Sequence, residues 1–374
     1  MVAEKVLFTP LQIGSITLKN RIGMSAMTRN RALQTYPNDL LKEYYVQRTK
    51  GGAGLIVSEG ILITRQGTEW PNAPGIWDEK HISEWKKITD AVHEAGGKMY
   101  AQLWHVGRVA HPDAPEQKLA GTPIYAPSAI AARGGKYRFL PGEPGNVTPT
   151  EIDDPKQFIE LYKQAAINAK AAGFDGVEIQ GGNGYLIHQF LDSTSNKRSD
   201  EWGGNIENRA KFGLEVLKVV VEVFGPDVAL KVSPNGGYND VGMPLQETLD
   251  TFSYFITESD KLGLAYITLV QYHPYFDPVF DGVQRATKHD VIAAYAHLPK
   301  HSKVFVNSLV TAEVGEELVA SGKVSGIFIG TQWINHPDLA KRIEHGKPLD
   351  NQLNFMGLNS SGEEGYTDYP TAVY

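Results

Sequence analysis

Eight short apolar runs recur along the 374-residue chain, and this recurrence constrains the fold more than any other feature. Each run is rich in β-branched residues and is bounded by turn residues, as buried strands are. Because amphipathic segments lie between the runs, the pattern predicts strands that alternate with helices around a parallel sheet. The predicted strands are Ile22–Met27, Gly54–Ser58, Lys98–Trp104, Asp175–Ile179, Val228–Ser233, Ala265–Val270, Lys303–Asn307 and Gly326–Gly330.

The segments between these strands carry apolar residues three and four positions apart, with charges on the opposite face. Asp154-Pro155 predicts a helix start, because aspartate caps a helix and proline fits its first turn. Eight such units without a linker-like tract predict one closed (β/α)8 barrel domain over residues 1–374. A doubly wound sheet is not favoured, since Ser25–Thr28 is not a glycine-rich phosphate fingerprint. The clearest predicted helices are Asp78–Ala95, Pro155–Ala172, Ile206–Phe224 and Leu245–Leu262.

Three segments depart from this repeat. Leu7–Asn20 has a Gly14-Ser15 turn between alternating apolar residues, which predicts a hairpin that plugs the bottom of the barrel. His105–Thr150 is long and rich in Pro, Gly and Ala, so we expect an excursion over the active-site face. The polar tail after Pro348 is expected to wrap the outside of the barrel.

Composition narrows the function classes. A net charge of -7 without a long Lys/Arg run argues against a nucleic-acid or anionic-membrane partner, and small molecules are the expected partners. The absence of cysteine excludes disulfides, thiolate nucleophiles and cysteine-bound metals. Pro299 interrupts the helical spacing of His297 and His301, so no metal site is predicted. Without a signal-peptide pattern or a membrane-length apolar run, we expect a cytoplasmic protein, either a monomer or a homodimer.

In such a barrel, chemistry takes place at the C-terminal ends of the strands. Taken singly, a polar residue there, such as Gln102 or Thr28, more often satisfies a buried backbone group than it binds a ligand. Lys231 requires a counter-charge, because a buried lysine is costly without one. The polar residues at or just beyond the predicted strand ends are Thr28, Gln102, Gln180, Asn183, Tyr185, Lys231, Asn307, Ser308 and Thr331.

Longer segments in a fixed order carry a more specific signal. They are FTPLQIGSITLKNRIGMSAMTRNRA, AQLWHVGRVAHPD, FDGVEIQGGNGYLIHQFLDSTSNKRSDEWGGNIENRAKF, LKVSPNGGY, INHPDLAKRI and EGYTDYP. Together they resemble the old yellow enzyme family, the FMN-dependent ene-reductases of the NADH:flavin oxidoreductase type. The resemblance extends over nearly the whole chain.

The resemblance implies that FMN lies across the top of the barrel and is reduced by NADPH or NADH. Hydride then passes from the flavin N5 to the β-carbon of an α,β-unsaturated carbonyl compound. By the same resemblance, Thr28 would bind the flavin C4 carbonyl, and Gly60 and Gln102 would contact the pyrimidine edge. Asn183 would be one of two donors to the substrate carbonyl, and Tyr185 would deliver a proton to the α-carbon.

The residue types suit this chemistry on physical grounds. Negative charge grows on the carbonyl oxygen as hydride arrives, so donors aimed at that oxygen speed the step. A phenol beside the other carbon can act as the general acid. The glycines around Asn183 are expected to let the loop turn close to a flat ring.

Four positions depart from the family pattern. Gln180 replaces the usual histidine partner of Asn183, although glutamine still offers N–H donors. Lys231 replaces an arginine, which keeps the charge but loses the planar fork. Asn307-Ser308 replaces a glycine-containing turn at the phosphate, and Thr331 replaces the arginine that follows Gly330. Hydroxyls and backbone N–H groups there could still hold a phosphate.

Two alternatives to a reductase remain open. An enzyme on the same fold could have lost or repurposed the flavin and could isomerise or cyclise a carbonyl compound, with Gln180, Asn183 and Tyr185 polarising it. A protein without catalytic activity could keep only the barrel. The clustering of polar residues at the strand ends argues against this last alternative.

Overall fold

The structure, a computed structural model, describes residues 5–134 and 145–374. Its centre is a closed barrel of parallel strands, in which each strand pairs with its neighbour along the chain. The eighth strand pairs with the first, through Ile327 opposite Ile22, and so closes the barrel. The predicted (β/α)8 barrel is therefore confirmed. Its strands, first to eighth, are Ile22–Met24, Leu55–Leu62, Met99–Trp104, Gly176–Gln180, Val228–Val232, Tyr266–Val270, Lys303–Asn307 and Gly326–Ile329.

Two strand boundaries differ from the prediction by three or more residues. The first strand ends at Met24 rather than Met27, so Thr28 lies in the loop beyond it. The second strand continues to Leu62 rather than ending at Ser58. A register shift between Val57 and Gly60 lets the second strand continue past the polar residues that had indicated a turn.

The predicted helices are present, with ends within two residues of their expected positions. The side chain of Asp154 accepts a hydrogen bond from the Lys156 backbone N–H at 3.0 Å, which confirms the predicted cap. Among the described residues, no helix is long and apolar enough to cross a membrane. The α-helices are Asp39–Lys50, Glu79–Glu94, Pro115–Ala120, Pro155–Ala171, Leu186–Leu191, Ile206–Phe224, Leu245–Asp260, Val291–Tyr295, Ala312–Ala320, Gln332–Asn335 and Leu339–Glu344.

The N-terminal hairpin closes the bottom of the barrel, as predicted. Its strands, Leu11–Ile13 and Ile16–Leu18, pair antiparallel, and their apolar side chains pack against the lower interior of the barrel. Ser15 donates from both its backbone N–H and its hydroxyl to Asp227, at 2.8 and 2.6 Å. Because Asp227 immediately precedes the fifth strand, this contact ties the hairpin to the N-terminal end of the barrel.

The excursion after the third strand lies over the C-terminal end of the barrel, as predicted. Val106 and Ile124 of this segment pack with Trp104 and Tyr185 at the mouth of the barrel. Within it, the two-residue strands Tyr125–Ala126 and Thr150–Glu151 pair in parallel. Residues 135–144 of the predicted excursion lie outside the described part of the chain.

The C-terminal tail is more deeply placed than its polar composition predicts. Tyr366 is fully buried and stacks on Tyr44 of the first long helix, with 4.0 Å between ring centroids. Arg29 donates to the Gly365 carbonyl at 2.8 Å, and Arg31 donates to the Gly357 carbonyl at 2.7 Å. The tail is therefore anchored here by a stacked ring and two buried arginines, while most of its other residues are exposed or half-buried.

Candidate active site

A polar layer lies inside the barrel below its mouth. Strand alternation turns Gln102 and Glu178 inward, and Gln102 Nε2 donates to Glu178 Oε1 at 2.7 Å. Thr268 Oγ1 donates to the other carboxylate oxygen at 3.3 Å. Burial raises the pKa of Glu178, and the Lys231 charge opposes this effect. Sequence reasoning missed Glu178, although its spacing of two from Gln180 puts both residues on one face of the fourth strand.

Lys231 is the buried cation of this layer. Its side chain lies on the fifth strand beside Gln180 and is 5% exposed. Burial lowers the pKa of Lys231, and the Glu178 carboxylate partly offsets that effect. Glu178 thus supplies the counter-charge that the sequence required, but it lies beyond salt-bridge distance. No described residue accepts a hydrogen bond from the Lys231 ammonium group, which leaves its donors available to a ligand.

The loop after the fourth strand brings Gln180, Asn183 and Tyr185 together. Gln180 Oε1 accepts from the Gly182 backbone N–H at 3.1 Å, which leaves the Gln180 amide nitrogen as a donor. Asn183 has a left-handed backbone, with φ of +56°, and its N–H donates to Ser233 Oγ at 2.6 Å. Its half-buried side-chain amide makes no hydrogen bond within residues 5–134 and 145–374. Both amides therefore have N–H groups available at the mouth.

Two glycines of this loop lie against a neighbouring segment of the protein. A Cβ on Gly182 would lie 2.7 Å from the Ser233 backbone nitrogen, and one on Gly184 would lie 2.5 Å from the Tyr238 carbonyl oxygen. Both contacts are to the end of the fifth strand or to the loop after it. These glycines therefore permit close packing of two protein segments.

Tyr185 is held by packing at the start of a short helix. Its ring meets Trp104 edge-on, with 5.1 Å between centroids, and it is 8% exposed. Burial raises the pKa of Tyr185 well above its ordinary value, and Tyr238 and Glu69 raise it further. The phenol therefore keeps its proton at neutral pH.

Thr28 lies in the loop beyond the first strand, and Gly60 lies within the second strand. Thr28 is half-buried, and its carbonyl accepts from Asn359 Nδ2 of the tail at 2.8 Å. Gly60 lies beside Gln102 in the neighbouring strand, and a Cβ on it would lie 2.4 Å from the Trp104 ring. The contact between the tail and the loop that carries Thr28 joins residues 331 positions apart, so no local pattern signals it.

The ends of the seventh and eighth strands are more open. Asn307 Nδ2 donates to the Phe328 carbonyl at 2.8 Å, so this amide holds the backbone. Ser308 has a φ of +75°, and its buried hydroxyl has no partner among the described residues. Thr331 is exposed and begins the four-residue helix Gln332–Asn335. A Cβ on Gly330 would meet only Met27 Sδ, at 3.6 Å.

The structure thus gathers the predicted residues in two groups at one end of the barrel. Thr28, Gly60, Gln102, Gln180, Asn183, Tyr185 and Lys231 lie at the first five strands, and Asn307, Ser308, Gly330 and Thr331 lie at the last two. Ser25 Oγ donates to Asn307 Oδ1 at 3.5 Å and so connects the two groups. Among the described residues, neither the Lys231 ammonium group nor the Ser308 hydroxyl donates to a protein acceptor.

Comparisons with known proteins show the family of this chain. A family model described as the NADH:flavin oxidoreductase / NADH oxidase family matches residues 6–350. The chain is 35% identical to 12-oxophytodienoate reductase 7 of Oryza sativa subsp. japonica, over 97% of this chain and 94% of that protein. It is 34% identical to a probable inactive reductase of Epichloe festucae var. lolii, over 97% and 94%.

A solved structure extends the agreement to three dimensions. The old yellow enzyme homologue from Zymomonas mobilis superposes with a TM-score of 0.87 at 33% sequence identity. The superposition covers 97% of this chain and 99% of that one. Likeness over nearly the whole length of both chains means that the two proteins share the same overall fold.

Proposed function

Because the chain belongs to the NADH:flavin oxidoreductase / NADH oxidase family, the old yellow enzyme family that its sequence resembles, we propose that it is an ene-reductase. It depends on FMN and uses NADPH or NADH to reduce the C=C bond of α,β-unsaturated carbonyl compounds. The observation that carries this proposal is the buried, protonated phenol of Tyr185 beside two amides on one loop.

The proposed cofactor site runs across the rim. Thr28, Gly60, Gln102 and Lys231 would contact the ring, with the Lys231 ammonium nearest to its anionic edge. Asn307, Ser308, Gly330 and Thr331 would surround the phosphate. When bound, FMN supplies the transfer of hydride from the nicotinamide to the β-carbon of the substrate. The unpartnered donors of Lys231 and Ser308 support this assignment, because a flavin phosphate and a reduced ring both offer anionic oxygens.

Two amides would bind the substrate. The side-chain N–H groups of Gln180 and Asn183 would donate to the carbonyl oxygen, where negative charge grows during the reaction. The hydrogen bond from Gly182 to Gln180 Oε1 fixes which end of that amide points away from the loop. Neither amide titrates near neutral pH, so substrate binding through them is independent of pH.

Tyr185 would complete the reduction by donating its proton to the α-carbon. Burial keeps the phenol protonated in the resting enzyme, which is the form that a general acid needs. Its edge-on contact with the Trp104 ring supports this role, because it holds the phenol ring in place at the mouth.

The proposal is tested by absorbance. The purified protein, incubated with FMN and desalted, should be yellow, and anaerobic NADPH should bleach it. Addition of 2-cyclohexen-1-one should restore the oxidised spectrum and yield cyclohexanone. A protein that stays colourless after incubation with FMN, or whose bleached form the enone does not reoxidise, would exclude this function.

The open phosphate end and the relative described as a probable inactive reductase favour testing a second candidate. In it, Gln180, Asn183 and Tyr185 polarise a carbonyl compound that is isomerised or cyclised without a net change of oxidation state. Conversion of an enone into an isomer in the absence of nicotinamide, lost in Tyr185→Phe, would support this candidate over the reductase.

A further inference from the structure

The loop that carries Thr28, residues 25–31, contains no helix or strand. Thr28 is half-buried, and its hydroxyl makes no hydrogen bond within the described part of the chain. A loop of this kind has no ladder of backbone hydrogen bonds to hold it, so its polar backbone groups need partners from elsewhere. The position of Thr28 therefore depends on contacts with other segments.

Two such contacts hold the peptide group that joins Thr28 to Arg29. Its carbonyl, from Thr28, accepts from Asn359 Nδ2 of the C-terminal tail at 2.8 Å. Its N–H, from Arg29, donates to Glu59 Oε2 of the second strand at 3.1 Å. Because a peptide group is planar, hydrogen bonds at both of its ends fix its plane. They thereby fix the direction in which the Thr28 side chain leaves the backbone.

The tail is in turn fixed to this loop around Asn359. Asn30 Nδ2 donates to the Asn359 carbonyl at 3.2 Å. Two buried arginines of the loop, Arg29 and Arg31, donate to the Leu358 carbonyl at 2.9 and 3.1 Å. These bonds hold the tail backbone on both sides of the peptide group that joins Leu358 to Asn359. The Asn359 side chain therefore starts from a backbone that cannot move away from the loop.

The arginine bonds stabilise the fold, whereas the bond from the Asn359 side chain reaches the residue whose hydroxyl would contact the flavin. We propose that Asn359 is a positioning residue of the cofactor site. By holding the Thr28 carbonyl, it keeps the Thr28 hydroxyl where it donates to the flavin C4 carbonyl. This inference rests on the proposed function, because Thr28 is assigned to the ring there.

The expected consequence is a change in the midpoint potential of the bound flavin. The ring becomes more negative when it is reduced, so a hydroxyl that donates to a ring carbonyl binds the reduced form better than the oxidised form. Losing this hydrogen bond should lower the preference for the reduced form about tenfold. For a two-electron couple, that change corresponds to a potential about 30 mV lower.

Asn359→Ala tests the proposal in the protein loaded with FMN. Its midpoint potential, measured by anaerobic titration with a redox dye, should fall by about 30 mV. Thr28→Val removes the hydroxyl itself and should lower the potential at least as much. Asn354→Ala is the matched control, because Asn354 is half-buried in the same tail but bonds to Gly357 and Glu364 instead of the loop. It should leave the potential unchanged.

A double variant separates positioning of Thr28 from general loosening of the tail. If Asn359 acts through the Thr28 hydroxyl, Thr28→Val combined with Asn359→Ala should have the same potential as Thr28→Val alone. Additive shifts would overturn the inference, and so would an unchanged potential in Asn359→Ala. A protein that binds no FMN would overturn the proposed function, and this assignment of Asn359 with it.

The hold on the loop can also be measured without flavin. In the FMN-free protein, Asn359→Ala should speed amide hydrogen exchange at Arg29 about five- to tenfold, because the peptide group is then held at one end only. Exchange at Arg29 should not change in Asn354→Ala. Equal exchange in Asn359→Ala and in the unchanged protein would overturn the inference even if FMN binds normally.

Discussion

The two ends of the barrel mouth hold their polar groups in different ways. At the fourth and fifth strands, Gln180 and Asn183 are anchored by backbone hydrogen bonds, and Tyr185 is anchored by packing. At the seventh and eighth strands, the Ser308 hydroxyl has no partner within the described chain, and Thr331 is exposed. We call the first region the ring half, with Gln102, Gln180, Asn183, Tyr185 and Lys231, and the second the phosphate half, with Asn307, Ser308, Gly330 and Thr331.

This difference indicates that the two halves of the site have different roles. In the ring half, the Gln180 side chain and the Tyr185 ring are held by protein contacts before any ligand binds, as electrostatic stabilisation of a transition state requires. The phosphate half offers hydroxyls where an arginine would give two charge-assisted hydrogen bonds. Changes in the ring half should therefore affect chemistry and binding of the ring, and changes in the phosphate half should affect retention of the cofactor alone.

The largest expected effect is that of Tyr185→Phe in the ring half. Removing the proton donor should lower the rate of enone reduction about 100- to 10,000-fold, while reduction of the enzyme by NADPH continues at its normal rate. The ring contact with Trp104 is kept, so the fold should not change. Stopped-flow absorbance measures the rates of reduction by NADPH and of enone reduction separately. Tyr254→Phe, on an outer helix, is the control, and an unchanged enone step in Tyr185→Phe would remove the proposed general acid.

Lys231→Met should produce the next largest effect. Losing the buried cation removes a charge-assisted interaction with the ring, so FMN and riboflavin should both bind about ten- to a few-hundred-fold more weakly. Quenching of flavin fluorescence gives both affinities. Lys231→Arg keeps the charge and should retain most of the affinity. A loss confined to FMN would show that Lys231 acts on the phosphate, contrary to the division between the two halves.

Ser308→Ala tests the phosphate half and should have a smaller effect. The loss of one neutral hydrogen bond should weaken FMN about two- to tenfold and leave riboflavin, which has no phosphate, unaffected. Thr331→Arg should act in the opposite direction and strengthen FMN binding alone. The same fluorescence titration measures both variants. Equal weakening of FMN and riboflavin in Ser308→Ala would place this hydroxyl at the ring rather than the phosphate.

The smallest expected effect concerns Glu59, which precedes Gly60 beside the ring half. Burial raises the pKa of Glu59 to about 7, with hydrogen bonding and the charge of Arg29 opposing the shift. A carboxyl with a raised pKa in the folded state contributes stability below its unfolded pKa of 4.5 and loses that contribution as pH rises toward 7. Scanning calorimetry should therefore show that Tm declines as the pH rises from 4.5 to 8. The decline should be smaller in Glu59→Gln than in the unchanged protein. Parallel curves for both proteins would contradict this.

Much of the barrel could be predicted from the sequence because its signals are local. Apolar runs and helical spacing depend on residues within one segment, and the predicted helix Ile206–Phe224 has the same ends in the structure. The second strand was predicted too short because Ser58, Glu59 and Gly60 are unusual residues for a buried strand. A change of register there accommodates them, and only the neighbouring strand reveals it.

The site was predictable in its residue types but not in its contacts. Tyr185 and Asn183 follow the fourth strand in sequence, so a barrel brings them to the rim. The reason for Gly182 and Gly184 was not predictable, because it depends on how closely the loop after the fifth strand approaches. The spacing of two residues between Glu178 and Gln180 could have predicted that both lie on one face of the strand. The distance from Glu178 to Lys231 was not predictable, because it depends on the pairing of two strands.

The sequence by itself determined the barrel, the order of its strands and which polar side chains end them, because these depend on periodicities of two and 3.6 residues. Only the tertiary structure decided that the tail buries Tyr366 on Tyr44 and that Asn359 binds the Thr28 carbonyl. Such contacts join loops hundreds of residues apart. Their geometry depends on how each loop packs against the others, which no single segment encodes.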